Sequence, residues 1–231
     1  MSPVGKRKMR VGLALSGGAA RGLAHVGVLD ILHKERIPID MIAGTSAGAI
    51  MGAIYVARME TEKMLEMALD PSWKKWAAMG DLCLERTGFI KGNKIKDLLT
   101  GFIGGEYDIS ELKIPFAAVA TDIDTGEEIT IDSGPVIDAV RASISLPGIF
   151  TAVKRDGRYL VDGGLTTPVP INVVRNMGAD FVIAVNVNPD VTRRISKSDR
   201  ERIAAKKEPN LLQIAMQSLY ITTYALAHNS M

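Results

Sequence analysis

Three short stretches carry side chains whose types and spacing could do chemistry. The first is Gly44-Thr45-Ser46-Ala47-Gly48, a Gly-x-Ser-x-Gly pentapeptide that follows the apolar run Met41-Ile42-Ala43. Small and apolar residues at helical spacing come directly after it. This order describes a nucleophile elbow: a strand, a turn tight enough to need Gly44 and Gly48, and a helix with Ser46 at the apex. The amide of Ala47, at the helix start, would then face the oxygen of a carbonyl under attack. The bland alternative is a small-residue turn before a buried helix. Glycines flank a given serine by chance about once in 200 cases. The chain has a dozen serines, so the surroundings must decide.

The second stretch, Ser16-Gly17-Gly18-Ala19-Ala20-Arg21-Gly22, follows the strand-like run Val11 to Leu15 and opens a helical pattern through Leu23, Val26 and Leu29. Three readings fit a strand, a glycine loop and a helix. Amides at a helix start attract a phosphate; exposed amides form an oxyanion hole; or the loop only turns the chain. No Gly-x-x-x-x-Gly-Lys-Ser/Thr pattern is present, and Ala19 replaces the second glycine of Gly-x-Gly-x-x-Gly. The third stretch is Asp162-Gly163-Gly164, an acid at the end of a strand-like run. It reads either as a side chain delivered from a strand tip or as a capping Asp in a turn. All three stretches sit where strands end, the edge at which ligands gather in open α/β sheets. A serine hydrolase usually needs an imidazole base, yet His25 and His33 fall within the first helical pattern and His228 near the end. A Ser46–Asp162 dyad is therefore the working hypothesis in place of a Ser-His-Asp triad.

The rest of the chain sets limits. Its 231 residues suffice for one well-cored domain, and 47% hydrophobic with 23% charged residues is ordinary for a globular protein. A net charge of +2 argues against a nucleic-acid partner. Cys83 is the only cysteine, which excludes an internal disulfide scaffold and points to a reducing, cytoplasmic setting. No apolar run approaches the ~20 residues that span a bilayer. Residues 1–10 read as a basic tail through Lys6, Arg7, Lys8 and Arg10, without the apolar core and cleavage site of a signal peptide.

Periodicity gives the elements. Strand, helix and strand from Val11 to Ala43 predict a right-handed crossover with a parallel pair. A buried helix follows from Ser46 to about Arg58, where small residues allow close packing on a sheet. Residues 61–107 mix methionine, leucine and both tryptophans with lysines, a composition suited to a cap over an apolar substrate or to a lipid surface. Ordinary covering helices are the alternative. Ile114–Thr121 and Glu128–Ile131 predict a hairpin, and Val153–Val161 a second one turning at Asp156-Gly157. Asp180–Val187 reads as another buried strand, residues 191–208 as a charged linker, and residues 209–231 as a closing helix.

Taken together, the motifs carry a resemblance. Ser16 to His25, Gly44 to Gly48, Arg141-Ala142-Ser143 with Leu146 to Phe150, and Asp162-Gly163-Gly164 stand in the order of the patatin-like phospholipase family. The chain resembles a bacterial member over Val11 to about Pro189. The resemblance implies an α/β fold: a mainly parallel central sheet in a three-layer α/β/α arrangement over residues 11–190, with 61–107 as a cap-like insertion. It implies Ser46 as the acyl nucleophile and Asp162 as its base. Gly17, Gly18 and Ala19 would donate backbone amides to the oxyanion, with Ala47 as a further donor. Arg21 would brace the loop or meet a substrate phosphate. Substrates would be acyl esters of phospholipids, lysophospholipids or neutral lipids, with no metal, no cofactor and peripheral contact with a membrane. A thioesterase, a general carboxylesterase or a non-catalytic lipid-binding regulator are the alternatives. Two departures stand out: Ala19 occupies a position where many members have glycine, and many bacterial relatives add a further strand and helix beyond the point matching Met231.

Overall fold

The computed structural model describes residues 8–70, 92–188 and 211–229. Val11–Leu15 forms strand β1 and Met41–Thr45 strand β2, with every residue of both buried. Continuous apolar runs of this kind suit strands covered on both faces. They pair in parallel, Gly12 opposite Met41 through Leu15 opposite Gly44. Helix α1 (Ala24–Lys34) joins them, preceded by a short 3-10 turn at Ala19–Leu23.

Phe116–Asp122 (β3) continues the parallel set beside β2, while Phe181–Val185 (β7) extends it on the far side of β1. Beyond β3 the sense reverses. Glu128–Ile131 (β4) and Arg158–Asp162 (β6) run antiparallel to β3, and Val153–Arg155 (β5) pairs with β6. The result is a mixed sheet of seven strands among the described residues, flanked by helices.

Alternate strand residues feed two cores. Leu13, Leu15, Ile42, Phe116 and Ala118 face helices α1, α2 (Ala47–Arg58) and α5 (Val136–Ser143). Ala14, Met41, Ala43, Ala117 and Val119 face helix α6 (Ile171–Asn176) through Val173 and Val174. Two covered faces give the three-layer α/β/α arrangement. Helix α3 (Thr61–Leu69) and helix α4 (Gly92–Ile103) add Met64, Leu99 and Ile103 to the first core. These parts of 61–107 therefore cover other helices with ordinary core residues. Residues 71–91, with Trp73 and Trp76, lie outside the described residues, as does the charged stretch 191–208.

The last helix, α7 (Leu211–Asn229), meets the turn after β6, where Thr223 Oγ1 donates to Gly164 O at 3.4 Å. Among the described residues no helix is long and apolar enough to cross a membrane.

The strand expected to be buried over Asp180–Val187 is shorter and more open. β7 ends at Val185, Phe181 is 53% exposed and Ala184 is exposed. Among the described residues it pairs with β1 alone, and a strand at a sheet edge keeps one flank uncovered.

Gly48 shows how closely α2 is seated. A Cβ there would lie 2.2 Å from Leu15 O, a backbone atom with no room to retreat. Gly48→Ala is expected to lower unfolding free energy by about 3 kcal/mol or more. Gly27→Ala, with nothing within 4 Å of its Cβ in α1, should gain about 1 kcal/mol. Urea denaturation of the pair checks both signs.

Candidate active site

Register on β3 brings the site together. Val119 pairs with Thr45 of β2 and with Thr130 of β4, so these two strands flank opposite edges. Ala120 pairs with Ile129 of β4 and with Asp162 of β6. β2 and β6 therefore share one edge of β3 and meet end to end at Val119–Ala120. Ser46 follows the end of the first, and Asp162 closes the second. Ser46 Oγ donates to Asp162 Oδ2 at 2.6 Å across 116 residues of sequence.

Both residues are held by their backbones. Ser46 has φ 52° and ψ −119°, a conformation that strains a residue with a Cβ by about 1–3 kcal/mol. The same bend carries its hydroxyl out of the buried strand, and the residue is partly exposed. Its amide donates to Ser143 Oγ at 2.8 Å. Asp162 is only 5% exposed. Its Oδ1 accepts from Gly164 N at 2.8 Å, its amide donates to Ser145 O at 3.0 Å, and its carbonyl accepts from Thr121 Oγ1 at 3.1 Å. Burial raises its pKa from 3.8 to about 6, against the smaller downward pull of the bonds from Ser46 and Gly164.

The glycine loop lies beside this pair, since a Cβ on Gly17 would come 3.4 Å from Ser46 Cβ. Ser16 is clamped at each polar group. Its amide donates to Val185 O and its hydroxyl to Gly17 O; that hydroxyl also accepts from Val187 N. The Ser16 carbonyl lies 2.8 Å from His25 Nε2. A carbonyl only accepts, so Nε2 carries a proton. Burial lowers its pKa, and among the described residues Nδ1 has no hydrogen-bond partner, so the neutral ring is favoured.

The amide of Gly17, expected among the oxyanion donors, is committed to Pro168 O at 3.0 Å. Among the described residues the amides of Gly18, Ala19 and Ala47 donate to no protein acceptor. Ala19 takes φ 49°, a left-handed conformation that disfavours alanine by roughly 1–2 kcal/mol. Arg21 sits exposed on the same turn.

No imidazole reaches Ser46. His25 is bonded to Ser16, His33 Nδ1 lies 3.4 Å from Tyr55 Oη, and His228 stacks on Tyr224. Among the described residues no three His, Cys, Asp or Glu side chains form a group able to hold a metal. Sequence reasoning missed Ser143, Ser145 and Pro168 as partners of the site. The stretch Arg141-Ala142-Ser143 is one of the motifs that carry the family resemblance, but nothing in the sequence gives Ser143 its bond to the Ser46 amide or marks Pro168 as the acceptor for Gly17.

A family model described as patatin-like phospholipase matches residues 13–175. An uncharacterized NTE family protein of Mycobacterium tuberculosis is 36% identical over 194 residues, covering 80% of this chain and 51% of that protein. A patatin-like phospholipase domain-containing protein of Caenorhabditis elegans is 38% identical over 77% of this chain and 13% of its own length. Neuropathy target esterase sws of Drosophila melanogaster is 34% identical over 77% and 13%. The chain thus spans about half, or far less, of the curated relatives it matches. Among solved structures, VipD from Legionella pneumophila aligns with a TM-score of 0.43 at 15% identity, covering 68% of this chain and 46% of that one. With the family model spanning β1 to α6 and so taking in the loop, the elbow and the Asp162 turn, the chain belongs to the patatin-like phospholipase family.

Proposed function

We propose that the protein is a serine acyl-ester hydrolase working through a Ser46–Asp162 dyad. The observation that carries this reading is the 2.6 Å contact between the two side chains, with every histidine engaged elsewhere. Asp162 takes the Ser46 proton as Oγ attacks the ester carbonyl, forming a tetrahedral oxyanion. Amides of Gly18 and Ala19, with Ala47 as a further donor, receive that charge; each such donor is typically worth ~10²–10³ in rate. Collapse breaks the ester bond, and Asp162 returns the proton to the leaving alkoxide. Water, deprotonated by the same carboxylate, then attacks the acyl-enzyme and releases the fatty acid and free Ser46. Arg21 braces the loop or meets a substrate phosphate.

A carboxylate titrating near 6 is a better base than a free Asp and is still ionised at neutral pH, which suits this role. Family membership supports a lipid ester as the substrate, and the proposal extends this to fatty acyl esters of phospholipids or lysophospholipids, reached by peripheral contact with a lipid surface. A fluorophosphonate probe followed by peptide mapping tests the nucleophile. Modification at Ser46 is the expected result, and stoichiometric labelling of another serine would reject the assignment. Mass-spectrometric profiling of a lipid extract tests the substrate class, where phospholipid or lysophospholipid should fall as free fatty acid rises. An unchanged extract, with thioesters hydrolysed instead, would replace it.

A further inference from the structure

We propose that the segment leaving α5, Ser143 to Ser145, is a positioning element that sets Ser46 against Asp162, an inference that rests on the dyad reading above. Ser143 holds the amide of the nucleophile, and the Ser145 carbonyl holds the amide of the acid. Ser143 is fully buried. Its hydroxyl has one proton, which goes to Val119 O at 2.6 Å, leaving an oxygen lone pair for Ser46 N at 2.8 Å. The assignment is unambiguous because a carbonyl can only accept and an amide can only donate. Val119 is the β3 residue opposite Thr45, so this hydroxyl fastens the elbow to the strand from which its register is measured.

Two residues on, Ser145 O accepts from Asp162 N at 3.0 Å. Two residues of chain reach at most about 7 Å, so anchors two residues apart cannot separate beyond a short span. The segment therefore works as a spacer between the two backbones. It acts directly on the strained residue, since Ser46 at φ 52° needs its surroundings to hold it there.

Arg141 keeps the spacer in place. It is 3% exposed, and no carboxylate pairs with it among the described residues. Instead its guanidinium donates to Ser145 Oγ and, through one nitrogen, to Thr151 O at 3.0 Å and Thr151 Oγ1 at 3.1 Å. It also lies over the Phe150 ring, 5.7 Å from the centroid. A buried cation without a counter-ion is unfavourable unless its donors are satisfied. Here they tie the helix end to the far side of the 144–151 loop, so the loop closes as a ring behind the spacer.

The test compares Ser143→Ala and Ser143→Cys with wild type and Ser46→Ala on one soluble acyl ester across pH. Ser143→Ala should lower kcat about 10–100-fold, the scale of a misplacement near 1 Å, with KM changed less than about twofold. Its acid limb should move above the wild-type value near 6, because a looser Ser46 contact removes a bond that draws the Asp162 pKa down. Ser143→Cys, whose thiol donates weakly, should fall between the two. If Ser143→Ala does not fold, Ser143→Cys decides by the same readouts. Wild-type kcat in the variants, or a lower kcat with an unmoved acid limb, overturns the positioning role while Ser46→Ala is inactive. Turnover that survives Ser46→Ala instead overturns the dyad reading.

Discussion

Ser46→Ala should reduce ester turnover by at least about 10⁴-fold and abolish fluorophosphonate labelling. Loss of an attacking oxygen in a serine hydrolase leaves only binding and oxyanion stabilisation, which is the source of the expected size. The fold should survive, because the alanine keeps the Cβ and the Ser46 amide keeps its bond to Ser143. What the alanine does not remove is the strain at φ 52° and ψ −119°. Ser46→Gly should therefore be as inactive as Ser46→Ala yet more stable by about 1 kcal/mol. Initial rates on a short-chain ester, with thermal melts of both variants, separate the two effects. Residual activity within tenfold of wild type in either variant would remove Ser46 from the mechanism.

Asp162→Asn should do two opposite things. Turnover should fall by about 10³–10⁴-fold, near the upper range for removal of a general base. The acid limb near pH 6, set by the carboxylate that must be ionised to accept the Ser46 proton, should vanish from the residual activity. Stability should rise. Unfolded, the carboxyl titrates at its ordinary 3.8; folded, at about 6. Between these values the folded state holds a proton that the unfolded state has lost, so stability falls as pH rises through the window. Above pH 6 the ionised group in its buried place costs about 3 kcal/mol. Asparagine carries no charge, can accept from Gly164 N and can donate to Ser46 Oγ. A gain of about 2 kcal/mol at pH 8 is expected, or about 4–8 °C in Tm for a chain of this size. The gain should shrink toward pH 4. A variant less stable than wild type at pH 8 would contradict the burial argument.

The elements were legible because local patterns and tertiary demands agree. Val11–Leu15 and Met41–Thr45 are apolar runs of strand length with glycines behind them, and the structure uses both as inner strands. Phe181 is where local reading failed. An apolar run looks the same at a sheet centre and at its edge, and only topology puts β7 outermost among the described strands. The site shows a similar split. Glycine pairs flanking Ser46 and following Asp162 were visible because so sharp a bend excludes a Cβ, as the 2.5 Å clash built at Gly44 shows. Which amides remain open was not visible. Gly17 loses its donor to Pro168 O, 151 residues away, and backbone acceptors leave no mark in side-chain chemistry. The bonds of Ser143 were hidden for a related reason: the stretch Arg141-Ala142-Ser143 stood out as a motif, but an interior serine between two main-chain groups looks in sequence like any small residue at a helix end.

The end-to-end arrival of β2 and β6 along β3 has an evolutionary consequence. Because Ser46 and Asp162 are indexed to neighbouring rungs of β3, their separation does not depend on the length of the chain between α2 and β3. Insertions or replacements between Arg58 and Phe116 can change that connection without recalibrating the contact between Ser46 and Asp162. Such a scaffold can vary its connections while its chemistry stays in register.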